Sequence, residues 1–131
     1  MSAELTARTA ILAALGGDET LAGLLNQIAD GEPVKASPPW LLVGASVGTG
    51  WGARGVDGVT LRQTLELTLR GDQLSAVTTI LERIDAVLRA MDGELGDWRV
   101  TSLRFERSRI RRSGTEWRAG ADYVLRMARL T

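Results

Sequence analysis

The sequence predicts an α+β domain: one antiparallel sheet of about four strands, with a long helix and N-terminal helices packed on one face. Three patterns predict it. Alanine and leucine recur at helical spacing through the first 29 residues. Apolar and polar residues alternate over 59–70, as in a half-buried strand. Apolar residues then step by three and four over 73–92, as in a helix lying on a sheet. The order is α-α-β-β-α-β-β, two hairpins flanking a helix, and 131 residues suit a single domain spanning 1–131.

Taken in order, Ala3, Ala7, Ala10, Ile11, Ala14 and Leu15 form the apolar face of a first helix, which Gly16-Gly17 ends. Asp18 is placed to cap a second helix over 19–29, with Leu21, Leu24, Leu25 and Ile28 on one side. Asp30-Gly31-Glu32-Pro33 and Ser37-Pro38-Pro39 punctuate a loop, because Pro38-Pro39 cannot continue a helix. Residues 40–47 read as a strand covered on both faces or ending at an interface, since they barely alternate. Six of the chain's 15 glycines fall within 44–58, around Trp51 and Arg54, which predicts a long mobile hairpin connection over 47–58.

In the strand 59–70, Val59, Leu61, Leu65, Leu67 and Leu69 share one side, and Gln63 is the polar intruder among them. Asp72 is the expected N-cap of helix 73–92, whose stripe runs Leu74, Val77, Leu81, Ile84, Leu88 and Met91, widened by Ile80 and Val87. A turn over 92–97 leads to a strand over 98–112. There the apolar parity changes between Val100 and Leu103, so a bulge near Thr101-Ser102 is expected. After Ser113-Gly114, the last strand alternates through Trp117, Ala119, Ala121, Tyr123, Leu125 and Met127.

Composition narrows the chemistry. The chain has neither cysteine nor histidine, which removes disulfides, thiolate nucleophiles, Cys/His zinc sites and histidine acid–base catalysis together. A serine nucleophile would need Lys35, the chain's one lysine, and that residue lies in a proline-bounded loop. No catalytic residue, cofactor or metal is expected, and the protein reads as a non-enzyme. Carboxylate-only chemistry would require two acids facing each other in a pocket. No apolar run approaches a membrane span, and Met1-Ser2-Ala3-Glu4 lacks a basic leader region, so synthesis in the cytoplasm and no membrane partner are expected.

Several segments invite a functional reading. Gly48-Thr49-Gly50-Trp51-Gly52 resembles a phosphate loop only superficially, since it leads into a strand and no lysine follows. Asp92, Glu94 and Asp97 cluster in what reads as an ordinary turn. Trp98 and Trp117 could pair across a hairpin, and Trp51 is as suited to a partner as to the core. Net charge is zero, yet 99–118 carries seven arginines against Glu106 and Glu116. Arg107, Arg109 and Arg111 share a strand face there. A solvated face, edge protection and a nucleic-acid footprint all fit; salt bridges to acids of a neighbouring subunit are favoured, because the rest of the chain is correspondingly acidic.

Ala10-Ile11-Leu12-Ala13-Ala14-Leu15 with Thr20-Leu21-Ala22-Gly23-Leu24-Leu25, then Pro39-Trp40-Leu41-Leu42-Val43-Gly44, then the helix 75–91, then Val100-Thr101-Ser102-Leu103-Arg104-Phe105-Glu106 span nearly the whole chain. Together they resemble the tail-completion, or tail-terminator, proteins of tailed phages and gene transfer agents. The resemblance implies a structural virion protein of the tail or neck. It would form a ring, commonly a hexamer, at the head-proximal end of the tail. There it would end polymerisation of the tail-tube protein and join the tail to a head connector or stopper, with DNA passing through the lumen without sequence-specific binding. Trp51, Arg54, Arg107, Arg109 and Arg111 are the expected subunit or partner contacts. A head-tail adaptor is a related reading, and a dimeric ligand-binding domain is the reading from another class.

Overall fold

The computed structural model of the protein describes residues 2–31 and 35–130. The expected turn at Glu32-Pro33 lies outside them. Helix α1 (Ala3–Gly16) is capped by Ser2, and α2 (Glu19–Leu24) by Asp18, whose carboxylate accepts from the Leu21 N–H at 3.0 Å. Strands β1 (Gln27–Asp30), β2 (Trp40–Ala53) and β3 (Val56–Arg70) follow, then α3 (Leu74–Arg89), and then β4 (Glu94–Leu95), β5 (Trp98–Ser113) and β6 (Glu116–Leu130).

The sheet corrects the expected four-stranded antiparallel architecture. It has six strands in the order β1-β2-β3-β6-β5-β4, and it is mixed, because β1 runs parallel to β2. The second helix stops at Leu24, five residues before the expected end, and Asn26 supplies the physical reason. Its backbone N–H donates to the Pro39 carbonyl at 2.7 Å, and its side-chain amide donates to the carbonyls of Ser37 and Pro38. These bonds draw the chain alongside β2, so Ile28 enters the sheet instead of a helix face. The short β4 arises in the expected 92–97 turn.

The expected long helix is also shorter, 74–89, and begins at Gln73 without a side-chain cap, so Asp72 does not cap it. Its stripe is centred on Val77, Ile80, Ile84 and Leu88, while Leu74 stays exposed. Ala3, Ala7, Ile11 and Leu15 of α1 join that stripe in one core with Leu61, Leu65 and Leu67 of β3 and Tyr123, Leu125 and Met127 of β6. The small side chains of Ala3 and Ala7 let α1 lie close to the sheet. Because α1 touches both β1 and β4, on opposite sides of the sheet, the sheet curls around the helices.

The expected mobile loop over 47–58 is instead regular hairpin. Pairing continues to Ala53↔Val56, and only Arg54-Gly55 turn, with Gly55 at φ +85°. Glycine here permits close approach: a Cβ on Gly58 would lie 2.2 Å from the Trp51 ring. The β5 register shifts between Val100 and Ser102, where the bulge is expected, and again between Phe105 and Arg107.

A third register shift, between Val43 and Ser46 of β2, explains the polar intruder. The buried Gln63 amide donates to the carbonyls of Gly44 (3.0 Å) and Ala45 (3.2 Å), and its oxygen accepts from the Ser46 hydroxyl. Arg8 of α1 donates to the Val43 and Gly44 carbonyls, to Ser46 Oγ (2.7 Å) and to Asp30. Thus a glutamine and an arginine satisfy the backbone groups that the bulge releases.

Candidate interaction surface

Helices cover one face of the sheet, and the other is bare. Outward parity on the bare face places Arg62 and Thr64 on β3, Arg118, Asp122 and Arg126 on β6, and Arg104, Arg107, Arg109 and Arg111 on β5. The register brings Arg107 opposite Asp122, Arg109 opposite Gly120, and Arg111 opposite Arg118. The three expected contact arginines therefore do share a face.

At its centre lies Asp122, 1% exposed. Its carboxylate accepts from Arg107 Nε at 2.7 Å, Arg109 Nη1 at 3.0 Å and the Thr64 hydroxyl at 2.7 Å. Burial alone would raise its pKa, but these charge-assisted and neutral bonds outweigh burial and hold it at about 2. Arg109 lies over Gly120, where a Cβ would meet its guanidinium at 2.5 Å. Arg107 and Arg109 are thus fixed at one end by an acid of their own chain, yet stay 64% and 52% exposed. Arg62 forms a two-pronged pair with Glu106 at 2.7 and 2.9 Å, which holds the glutamate below the usual carboxylate range. A shallow basin of about 350 Å³ runs between Trp40, Arg109, Arg111 and Arg118.

Trp51 is on the same face, half-buried over Gly58, with the Arg126 guanidinium 3.8 Å from its ring centroid. Arg54 is exposed at the hairpin tip, away from the β5 arginines. Trp98 and Trp117 do not pair across the hairpin. They begin antiparallel strands and so sit at its opposite ends, Trp98 beside Leu95 and Trp117 beside Leu69 and Arg112. In the 92–97 turn, Asp92 accepts from the Glu94 N–H and Glu94 pairs with Arg99.

Asp122, Thr64, Glu106 and Gly120 are the members of this surface that sequence reasoning missed. A signal existed: Asp122 is the one acid in the interior of the last strand, on the parity opposite Tyr123 and Leu125. No helix among the described residues is long and apolar enough to cross a membrane.

The family model described as "Tail completion protein gp17" matches residues 9–126. The chain belongs to the tail completion protein gp17 family. As a tail completion protein it has a structural role in the tail of a phage-type particle. The matched segment runs from the middle of α1 into β6 and includes the arginine-bearing face. The fold is also that of a solved chain from "Virion of native gene transfer agent (GTA) particle". The two superpose with a TM-score of 0.76 at 18% identity, over 92% of this chain and 93% of the other. Among curated proteins, none matches the sequence significantly.

Proposed function

We propose that this tail completion protein acts as a closed ring, a hexamer, at the head-proximal end of the tail. There it ends tail-tube polymerisation and joins the tail to a head connector, while DNA passes through the lumen. The carrying observation is that the sheet has two unlike open margins. β4 pairs with β5 only at Trp98 and Arg99, and the Val100 N–H still donates to the Gly93 carbonyl at 2.8 Å, so among the described residues β5 has no strand partner on that side beyond Val100. β1 pairs with β2 only over Trp40–Val43, so the rest of β2 is open. Unlike surfaces on opposite sides of one subunit suit head-to-tail contacts, which close into rings, and many weak contacts gain strength by avidity. In this reading Trp51 and Arg54, on the long β2–β3 hairpin, would contact a neighbour or the tube.

In this reading the protein works through its surfaces and without catalysis. Its most perturbed carboxylate, Asp122, is ionised at every physiological pH and occupied by two arginines and a threonine, so it is unsuited to acid–base work. Sedimentation with negative-stain imaging of the purified protein tests the assembly. A ring with the mass of a hexamer of the 14.1 kDa chain is expected. A two-fold dimer or a persistent monomer at high concentration contradicts it.

A further inference from the structure

The bare face has a composition of its own. Between its arginines lie Thr60, Thr64, Thr68, Ser102, Gly58 and Gly120, and the apolar Val124 among them is buried. The large exposed apolar side chains of β5, Phe105 and Ile110, point to the helix side instead, opposite the inward-facing Tyr123 and Ala119. Protein–protein interfaces are depleted of charge at their cores and enriched in aromatic and apolar groups. Over β6 and β5 this face is the reverse, its aromatic and exposed apolar groups Trp40, Val47 and Trp51 being confined to β2, and its arginine, threonine and serine donors are those that contact phosphate oxygens.

Charge is also sorted between the two sides of the molecule. Arg70, Arg104 and Arg111, on the sheet face, have no ion pair among the described residues. Acids without an ion pair include Glu4 of α1, Glu19 of α2 and Glu82 of α3 on the helix side; Glu66 of β3 also lacks one on the sheet face, but arginines outnumber acids there. A polyanion would therefore be attracted to the sheet side and repelled from the other. Arg104 to Arg111 on β5, which pair with Val124 to Arg118, form a line about 20 Å long at strand spacing, a shape suited to a linear polyanion. Asp122, Gly120 and the Trp51 ring hold Arg107, Arg109 and Arg126 in place, so less side-chain freedom is lost on binding.

We propose that the bare sheet face binds the phosphate backbone of duplex DNA, weakly and without sequence preference, with the β5 arginines as its main contacts. This rests on the tail reading for where the DNA comes from, but the binding itself belongs to the chain. Near-zero net charge keeps each copy's grip slight, which allows DNA to move past.

Fluorescence anisotropy of a random-sequence duplex, titrated with the full chain, tests the proposal, with sedimentation run on the same samples. With three phosphate contacts, affinity is expected to fall about 40-fold between 50 and 200 mM salt. Arg104→Gln with Arg111→Gln removes two unpaired guanidiniums. It should weaken binding about 10-fold or more at low salt and lower the salt slope by about two. Arg83→Gln with Arg89→Gln removes equal charge from α3, on the helix side, and should leave binding within about two-fold. Equal loss in both double variants, or no salt-sensitive binding, overturns the proposal. Binding of sodium polyglutamate with no binding of duplex also overturns it and assigns the face to an acidic protein neighbour. Failure of DNA binding with the ring intact sinks this inference alone; absence of a ring with binding intact sinks the tail reading alone.

Discussion

Replacing Gln63 with leucine is expected to destabilise the fold by about 3–5 kcal/mol, although leucine matches its volume and its strand neighbours. Gln63 is fully buried and serves the Gly44 and Ala45 carbonyls and the Ser46 hydroxyl at the β2 bulge. Leucine would leave these groups without a partner in a dry site, at about 1–3 kcal/mol each, less whatever Arg8 recovers. An urea midpoint well below wild type, with an unchanged slope, is the expected result. A midpoint within experimental error of wild type would mean that the bulge does not depend on the glutamine.

The second large effect is at Asp122. Its folded pKa of about 2 lies below the ordinary aspartate value of 3.8. A lowered carboxylate pKa contributes stability that is complete above the unfolded value and is lost as pH falls through the folded one. That window runs from about pH 4 down to about pH 2, and the contribution is about 2 kcal/mol, trimmed by solvent around the exposed arginine ends. Asp122→Asn keeps the shape and removes the charge, so it should be less stable than wild type above pH 4 and lose less across the window. Thermal midpoints measured from pH 7 to pH 2 check this. Parallel wild-type and variant profiles would contradict the ion-pair account. The alanine variant should cost more, because Thr64 and both arginines lose their acceptor.

Much of this fold is legible in the residues, and the illegible parts have specific causes. Leu61, Leu65, Leu67 and Leu69 announce β3, and the phase change after Val100 marks a real bulge, because burial on one face forces strict parity. Strand β1 is hidden because Ile28 continues the helical spacing of Leu21 and Leu24; the bonds from Asn26 that end α2 are made with a segment more than ten residues away. Glycines suggested a loose hairpin, but at Gly58 the missing Cβ is room for an indole. The arginine face was visible as a composition bias with a shared parity. Its organising acid was not, since an aspartate in a strand reveals its partners only once β3, β5 and β6 are side by side.

Particles assembled with and without this chain give the most direct test of a ring that finishes the tail. Electron cryomicroscopy of complete particles should show it as a ring between tail tube and head, and particles made without it should yield unjoined heads and tails of irregular length. Tails of normal length joined to heads in its absence, or density for the chain anywhere else in the particle, would contradict the account.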